Sequence, residues 1–133
     1  MLENYKVIDF PTTPNIVYVL FFEMNGTEIY FYVGQTSRHI GRFGDYVSRQ
    51  FTAPTDFRVG EAIKYLQEKK LTVRVKYREC LDSKSEEDEL IRQLSRTFKL
   101  LNHLPAYNCQ KSTPDVERGK VRRFIDEVLS QYA

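Results

Sequence analysis

Cysteine is scarce in this chain and poorly spaced for chemistry. Cys80 and Cys109 are the only two, and neither belongs to a CxxC or Cys/His pattern. Two reduced thiols are expected rather than a disulfide or a structural metal site. An excess of charge of one sign is also lacking, since 20 Lys and Arg face 18 Asp and Glu for a net +2. That excludes a globally basic nucleic-acid coat, and any anion must be held by local clusters. The longest apolar run, Ile16 to Phe22, falls well short of the roughly 20 residues a spanning helix needs, so no membrane contact is expected. Met1 is followed by Glu3 and Lys6 with no apolar segment of the secretory kind, and a cytoplasmic location is expected. Internal repeats, low-complexity tracts and interdomain linkers are missing too. What remains is ordinary globular material, 41% hydrophobic and 29% charged, which suits a single domain over residues 1–133.

Hydrophobic patterning divides the chain as β-β-α-α-β-α-α. This is an α/β (α+β) arrangement with helices flanking a small three-stranded antiparallel or mixed sheet. Residues 1–15, with Pro11 and Pro14, read as an ordered lead-in. Ile16 to Glu23 and Glu28 to Val33 are rich in Val, Tyr and Phe, and their near-continuous apolarity predicts strands covered on both faces. Asn25-Gly26 marks a hairpin between them. Two registers are open. A two-residue Asn-Gly loop pairs Tyr18 with Val33 and turns Tyr18 and Tyr32 to opposite faces. A three-residue Met24-Asn25-Gly26 loop with a G1 bulge pairs Tyr18 directly with Tyr32, and the Asn-Gly-Thr wording favours it.

Beyond the hairpin, Thr36 or Ser37 can cap a helix to about Phe51, with Ile40, Phe43, Val47 and Phe51 inward. Asp56 can cap a second to about Lys70, with Val59, Ala62, Ile63 and Leu66 inward. Leu71 to Cys80 alternates apolar with charged or polar residues, as a half-exposed strand does. Ser83 and Glu86 form a capping box for a helix to about Leu101, with Leu90, Ile91, Leu94, Phe98 and Leu101 inward. Thr113-Pro114 opens a final helix, about 114–132, striped by Val121, Phe124, Ile125, Val128 and Leu129. Lys111, Arg118, Lys120, Arg122 and Arg123 surround its start, as a wet face or an extension of an anion-binding surface.

The residues fit for chemistry cluster in the first half. Tyr18 closes Ile16-Val17-Tyr18, Tyr32 opens Tyr32-Val33-Gly34, and Arg42 and Tyr46 follow Tyr32 by ten and fourteen residues. Tyrosine is a favoured strand residue and the chain has nine, so a packing role is the plain alternative. Two phenols and a guanidinium on one sheet edge can, however, orient a phosphodiester and move a proton. Arg42 falls opposite the apolar stripe of its helix, near Arg38, His39 and Arg49. That array is either a solvated face or a hold on a nucleic-acid backbone. Within Glu86-Glu87-Asp88-Glu89, acidic residues suit a first helical turn. Glu87 differs, standing three, four and seven residues before Leu90, Ile91 and Leu94 and so facing inward. An inward carboxylate should be paired or metal-bound. Glu86 is the second candidate.

Taken together, these features resemble the GIY-YIG nuclease superfamily over about residues 16–108: the two tripeptides, Arg42 with Tyr46, a carboxylate near 87, and Asn108 in Pro105-Ala106-Tyr107-Asn108. The two spacings after Tyr32 are those of excision-repair incision nucleases, whereas intron-homing endonucleases have histidine at the second position. Ile16 stands where the family has its first glycine. The resemblance implies a Mg²⁺-dependent endonuclease acting on DNA, with RNA left open and Mn²⁺ able to replace Mg²⁺. It implies Tyr18, with Tyr32, beside the attacking water, and Arg42 and Tyr46 on the phosphate. Glu87 would be the single metal ligand and Asn108 a support of the site. Two rivals stand beside this reading: a catalytically inactive nucleic-acid-binding module of the same fold, and a protein-interaction domain. The C-terminal stripe is a candidate homodimer contact.

Overall fold

The computed structural model describes residues 1–5, 15–36, 54–105 and 110–133. Strands β1 (Ile16–Met24) and β2 (Thr27–Thr36) form a hairpin. Helix α1 (Pro54–Glu68), strand β3 (Arg74–Glu79), helix α2 (Ser83–Leu94), a 3₁₀ turn (Leu101–His103) and helix α3 (Pro114–Ser130) follow. The three strands are antiparallel in the order β2-β1-β3, which makes this an α+β fold. The helix expected to end near Phe51 lies outside the described residues. Among those described, no helix is long and apolar enough to cross a membrane.

Strand β1 takes the centre because its first seven residues carry no charge, and all seven are buried. Alternation then divides them between two cores. Ile16, Tyr18, Leu20 and Phe22 pack with Val59, Ala62, Ile63 and Leu66 of α1 and with Val121, Ile125 and Val128 of α3. Val17 and Val19 point the other way, to Val33, Leu100 and the half-buried Leu90, Ile91 and Leu94 of α2. The sheet is therefore covered on both faces, as its apolar strands require. Cys80 joins the second core as a free thiol, and burial pushes its pKa up. Cys109 is outside the described residues.

The hairpin corrects the expected loop. Met24 pairs with Thr27, leaving Asn25 and Gly26 at φ 54° and 79°, the two left-handed positions of a type I′ turn. The three-residue loop does not form. The register instead slips further along, where Phe21 pairs with Tyr30 but Leu20 with Tyr32. Phe31 is thus an extra residue in β2, a bulge. Its cause is apolar. In a regular strand Phe31 and Tyr32 face opposite ways, but here both enter the core under α1 and α3. There Phe31 meets Phe22 with ring centroids 6.0 Å apart.

Helix boundaries also move. Helix α1 starts at Pro54, two residues before Asp56. It closes in a Schellman motif, with Leu71 N donating to Leu66 O at 3.0 Å and Lys70 N to Gln67 O at 2.9 Å. That closure delays β3 to Arg74, although Leu71 and Val73 still pack on the core. For α2 the cap is Asp82, whose carboxylate accepts from Ser85 N at 3.1 Å. The Ser83–Glu86 box does not form, because Ser83 Oγ donates to Gln35 Oε1 at 2.8 Å and Glu86 is engaged by Arg78. The same helix stops at Leu94, not Leu101. Leu100 and Leu101 enter opposite cores, which extended backbone at Leu100 (φ −104°, ψ 136°) permits. Helix α3 begins as expected, with Thr113 Oγ1 accepting from Val116 N at 3.3 Å.

Lys70 holds the left-handed position of the α1 closure at φ 64°. Lys70→Gly should therefore stabilise the fold by about 0.5–1 kcal/mol, the usual relief of a side chain from this conformation. Urea denaturation with an unchanged m-value checks it, and a loss of stability would contradict the assignment.

Candidate active site

Tyr18 pairs with Gly34, and Tyr32 with Leu20. The two tyrosines are diagonal neighbours on one sheet face, with ring centroids 6.3 Å apart and planes at 48°. They share a face as the favoured register required, but through the bulge, and they are not directly opposed. Tyr18 lies across the β2 backbone: a Cβ built on Gly34 would stand 2.9 Å from Tyr18 Cε1 and closer still to Cζ and Oη. Glycine is a steric requirement of this tyrosine. Both rings are buried, at 2% exposure for Tyr18 and 7% for Tyr32.

A residue that the sequence did not single out fixes this strand from outside. Asn102 Oδ1 accepts from Val33 N at 2.9 Å, and its Nδ2 donates to Val33 O at 2.7 Å. Strand β2 is an edge, and the Asn102 amide supplies the donor and acceptor of a missing neighbour at the residue between Tyr32 and Gly34. The signal was present in Leu100-Leu101-Asn102-His103-Leu104, where an amide among leucines needs partners. Asn108, named for the supporting role, lies outside the described residues. So do Arg38, His39, Arg42, Tyr46 and Arg49.

The acidic run of α2 is sorted by its neighbours. Glu86 is engaged by Arg78, Asp88 meets Lys84 at 3.1 Å, and Glu89 is held by Arg92. The half-buried Glu87 carboxylate makes no hydrogen bond or ion pair with any described residue. Burial pushes its carboxyl pKa up, with Asp88 adding to the shift and Lys84 opposing it. This is the donor chemistry of a hard divalent cation, which tolerates one protein carboxylate and completes its shell with water and phosphate oxygens. Among the described residues no group of three or more His, Cys, Asp and Glu is placed to share such an ion.

Helix α2 packs on the face of Val17, Val19 and Val33, opposite the face of the tyrosines. Glu87 is therefore not stacked over Tyr18 and Tyr32. The start of α2 lies instead toward the end of the sheet that carries Tyr18. Tyr18, Gly34 and Arg78 lie near one end of the sheet, where Ser83–Gln35 and Glu86–Arg78 anchor the start of α2. No family model, no curated protein and no solved structure matches the chain.

Gly34→Ala should destabilise the protein by about 1–3 kcal/mol, since the added methyl drives Tyr18 off its place in a packed core. Urea denaturation measures the loss, and a combined Tyr18→Leu change should recover part of it. A neutral Gly34→Ala would show that the ring is not held there.

Glu87 gives a prediction with a definite sign. Its folded pKa is raised above the ordinary 4.5, so the ionised group opposes folding above the raised value, and the opposition vanishes as pH falls below the unfolded value. Glu87→Gln should raise Tm at pH 7, and the gain should fade below pH 4.5. A pH-independent difference would point to packing instead.

Proposed function

We propose that this chain is a small GIY-YIG-type endonuclease, cytoplasmic, that hydrolyses phosphodiester bonds in DNA with Mg²⁺, or Mn²⁺ in its place. The observation that carries this reading is the Tyr18–Gly34 contact with Tyr32 beside it on the same face. It gives the paired tripeptides a geometric reason to occur together. In the proposed mechanism Tyr18, with Tyr32, orients the attacking water, and Tyr18, having given up its own proton to solvent, takes the proton of that water as the phenolate. Arg42 forks onto two phosphate oxygens beside Tyr46, and Arg38, His39 and Arg49 hold the flanking backbone. Asn108 supports the site, and Glu87 holds the cation. When bound, a divalent ion supplies charge stabilisation at the phosphate and the leaving oxygen. One such site cuts one strand, so double-strand cleavage requires two visits or a homodimer.

The burial of both phenols favours a second reading, a nucleic-acid-binding module of the same fold without catalysis. Nicking of supercoiled plasmid in Mg²⁺ separates the two. Wild type should nick, and Arg42→Ala should be slower by about a hundredfold to a thousandfold, the usual cost of losing one transition-state charge contact. Salt-sensitive DNA binding without cutting would select the binding module. Absence of both would leave the protein-interaction domain.

A further inference from the structure

Helices α1 and α3 run side by side in the same direction. Glu61 meets Arg118 at 3.3 Å, Tyr65 lies under Arg122 at 5.1 Å, and Lys69 meets Asp126 at 3.9 Å. Past the end of α3, Tyr132 O accepts from Asn25 Nδ2 at 3.0 Å, so both helices finish toward the hairpin turn. Both therefore begin toward the other end of the sheet, where Tyr18 pairs with Gly34. Helix α2 begins there as well, bound through Ser83 to Gln35. The described helices thus turn the partial positive charge of their starts to the end that carries Tyr18.

Near the start of α1 stands Arg58, 6% exposed. Its Nη1 donates to the carbonyls of Leu104 and Pro105. Its Nε makes no hydrogen bond, and among the described residues no carboxylate pairs with it. Glu61, one turn on, is engaged by Arg118, and the buried Glu117 by Lys120. Carbonyls satisfy donors but do not neutralise a charge, and a buried guanidinium without a counter-ion is costly. The Nε and Nη2 side of Arg58 is an unused fork, the geometry that takes two oxygens of one anion. The segment that Arg58 grips also carries Asn102, which holds Val33 beside Gly34. The fork therefore belongs to the surroundings of the tyrosine strand.

We propose that Arg58 is a phosphate-binding residue, its missing counter-ion being a phosphodiester of the DNA backbone beside the tyrosine pair. The identity of the partner rests on the proposed function. Inorganic phosphate presents the same oxygens, and the test separates the two.

Fluorescence anisotropy of a labelled DNA duplex with the full chain, in EDTA and over a range of salt, is the first arm. Arg58→Met should weaken binding by about tenfold to a hundredfold, the range of a lost hydrogen bond to a charged group. It should also flatten the slope of log Kd against log salt by about one, the mark of one phosphate contact. Arg58→Lys keeps the charge but loses the fork, so it should keep the slope and still lose affinity. Circular dichroism confirms folding, and the Lys variant carries the test should the Met variant not fold. The second arm is thermal unfolding in inorganic phosphate against chloride at equal ionic strength. Wild-type affinity for DNA in either variant overturns the DNA assignment. The site then stands only if phosphate raises the Tm of wild type and not of the variants, and it falls otherwise. Plasmid nicking in Mg²⁺ separates the site from the nuclease. Binding that depends on Arg58, with no nicking by wild type, keeps the site and sinks the nuclease. Nicking by wild type, with both variants binding normally, sinks the DNA assignment of Arg58 alone.

Discussion

The phenol of Tyr18 lies against the backbone of Gly34, and the central part of the sheet is arranged around that close approach. It needs Tyr18 opposite Gly34, a register that the tight Asn25-Gly26 turn alone does not produce. The bulge at Phe31 supplies the missing residue. The same bulge turns Tyr32 to the face of Tyr18 and lets Phe31 remain in the same core. Asn102 then holds Val33 from the open edge of β2, so the backbone between Tyr32 and Gly34 is bonded on both sides.

Charge is handled by the same logic of forced partners. Arg58, 6% exposed, donates to the carbonyls of Leu104 and Pro105, tying the first turn of α1 to the chain after the 3₁₀ turn. Glu117, 2% exposed, meets Lys120 at 3.3 Å. Glu61 and Arg118 join α1 to α3 at 3.3 Å. Burying a charge without a partner costs several kcal/mol, so the Glu61–Arg118 pair constrains how the two helices meet. Against that background Glu87 stands out, as a half-buried carboxylate whose neighbours in sequence are all engaged elsewhere.

The exposed phenol of Tyr77 and the buried one of Tyr18 are cross-strand partners, so a single row of the sheet runs from core to surface. Strand β3 alternates in character from one face to the other. Its cations reach the Phe21 and Tyr30 rings on one face, with Lys76 Nζ 4.8 Å and 5.2 Å from their centroids. Val75 and Tyr77, 38% and 61% exposed, stand on the other.

Among the described residues, periodicity alone determined the kinds of element and the faces of β1 and of the helices. An uncharged Ile16 to Phe22 had to be a strand covered on both sides, and Glu87 had to share the inward face of Leu90, Ile91 and Leu94, because those rules depend only on local geometry. The Asn-Gly turn was legible for the same reason. The tertiary structure decided what local geometry leaves open. It chose a bulge over a longer loop, Asp82 over Ser83 as the cap, Leu94 over Leu101 as the end of a helix, and Asn102 as the guard of the β2 edge. Each of those outcomes is set by a partner distant in sequence: Phe22 for Phe31, Gln35 for Ser83, two separate cores for Leu100 and Leu101, and Val33 for Asn102. A one-residue slip in a strand is nearly free locally, and only the packing on either face makes it costly.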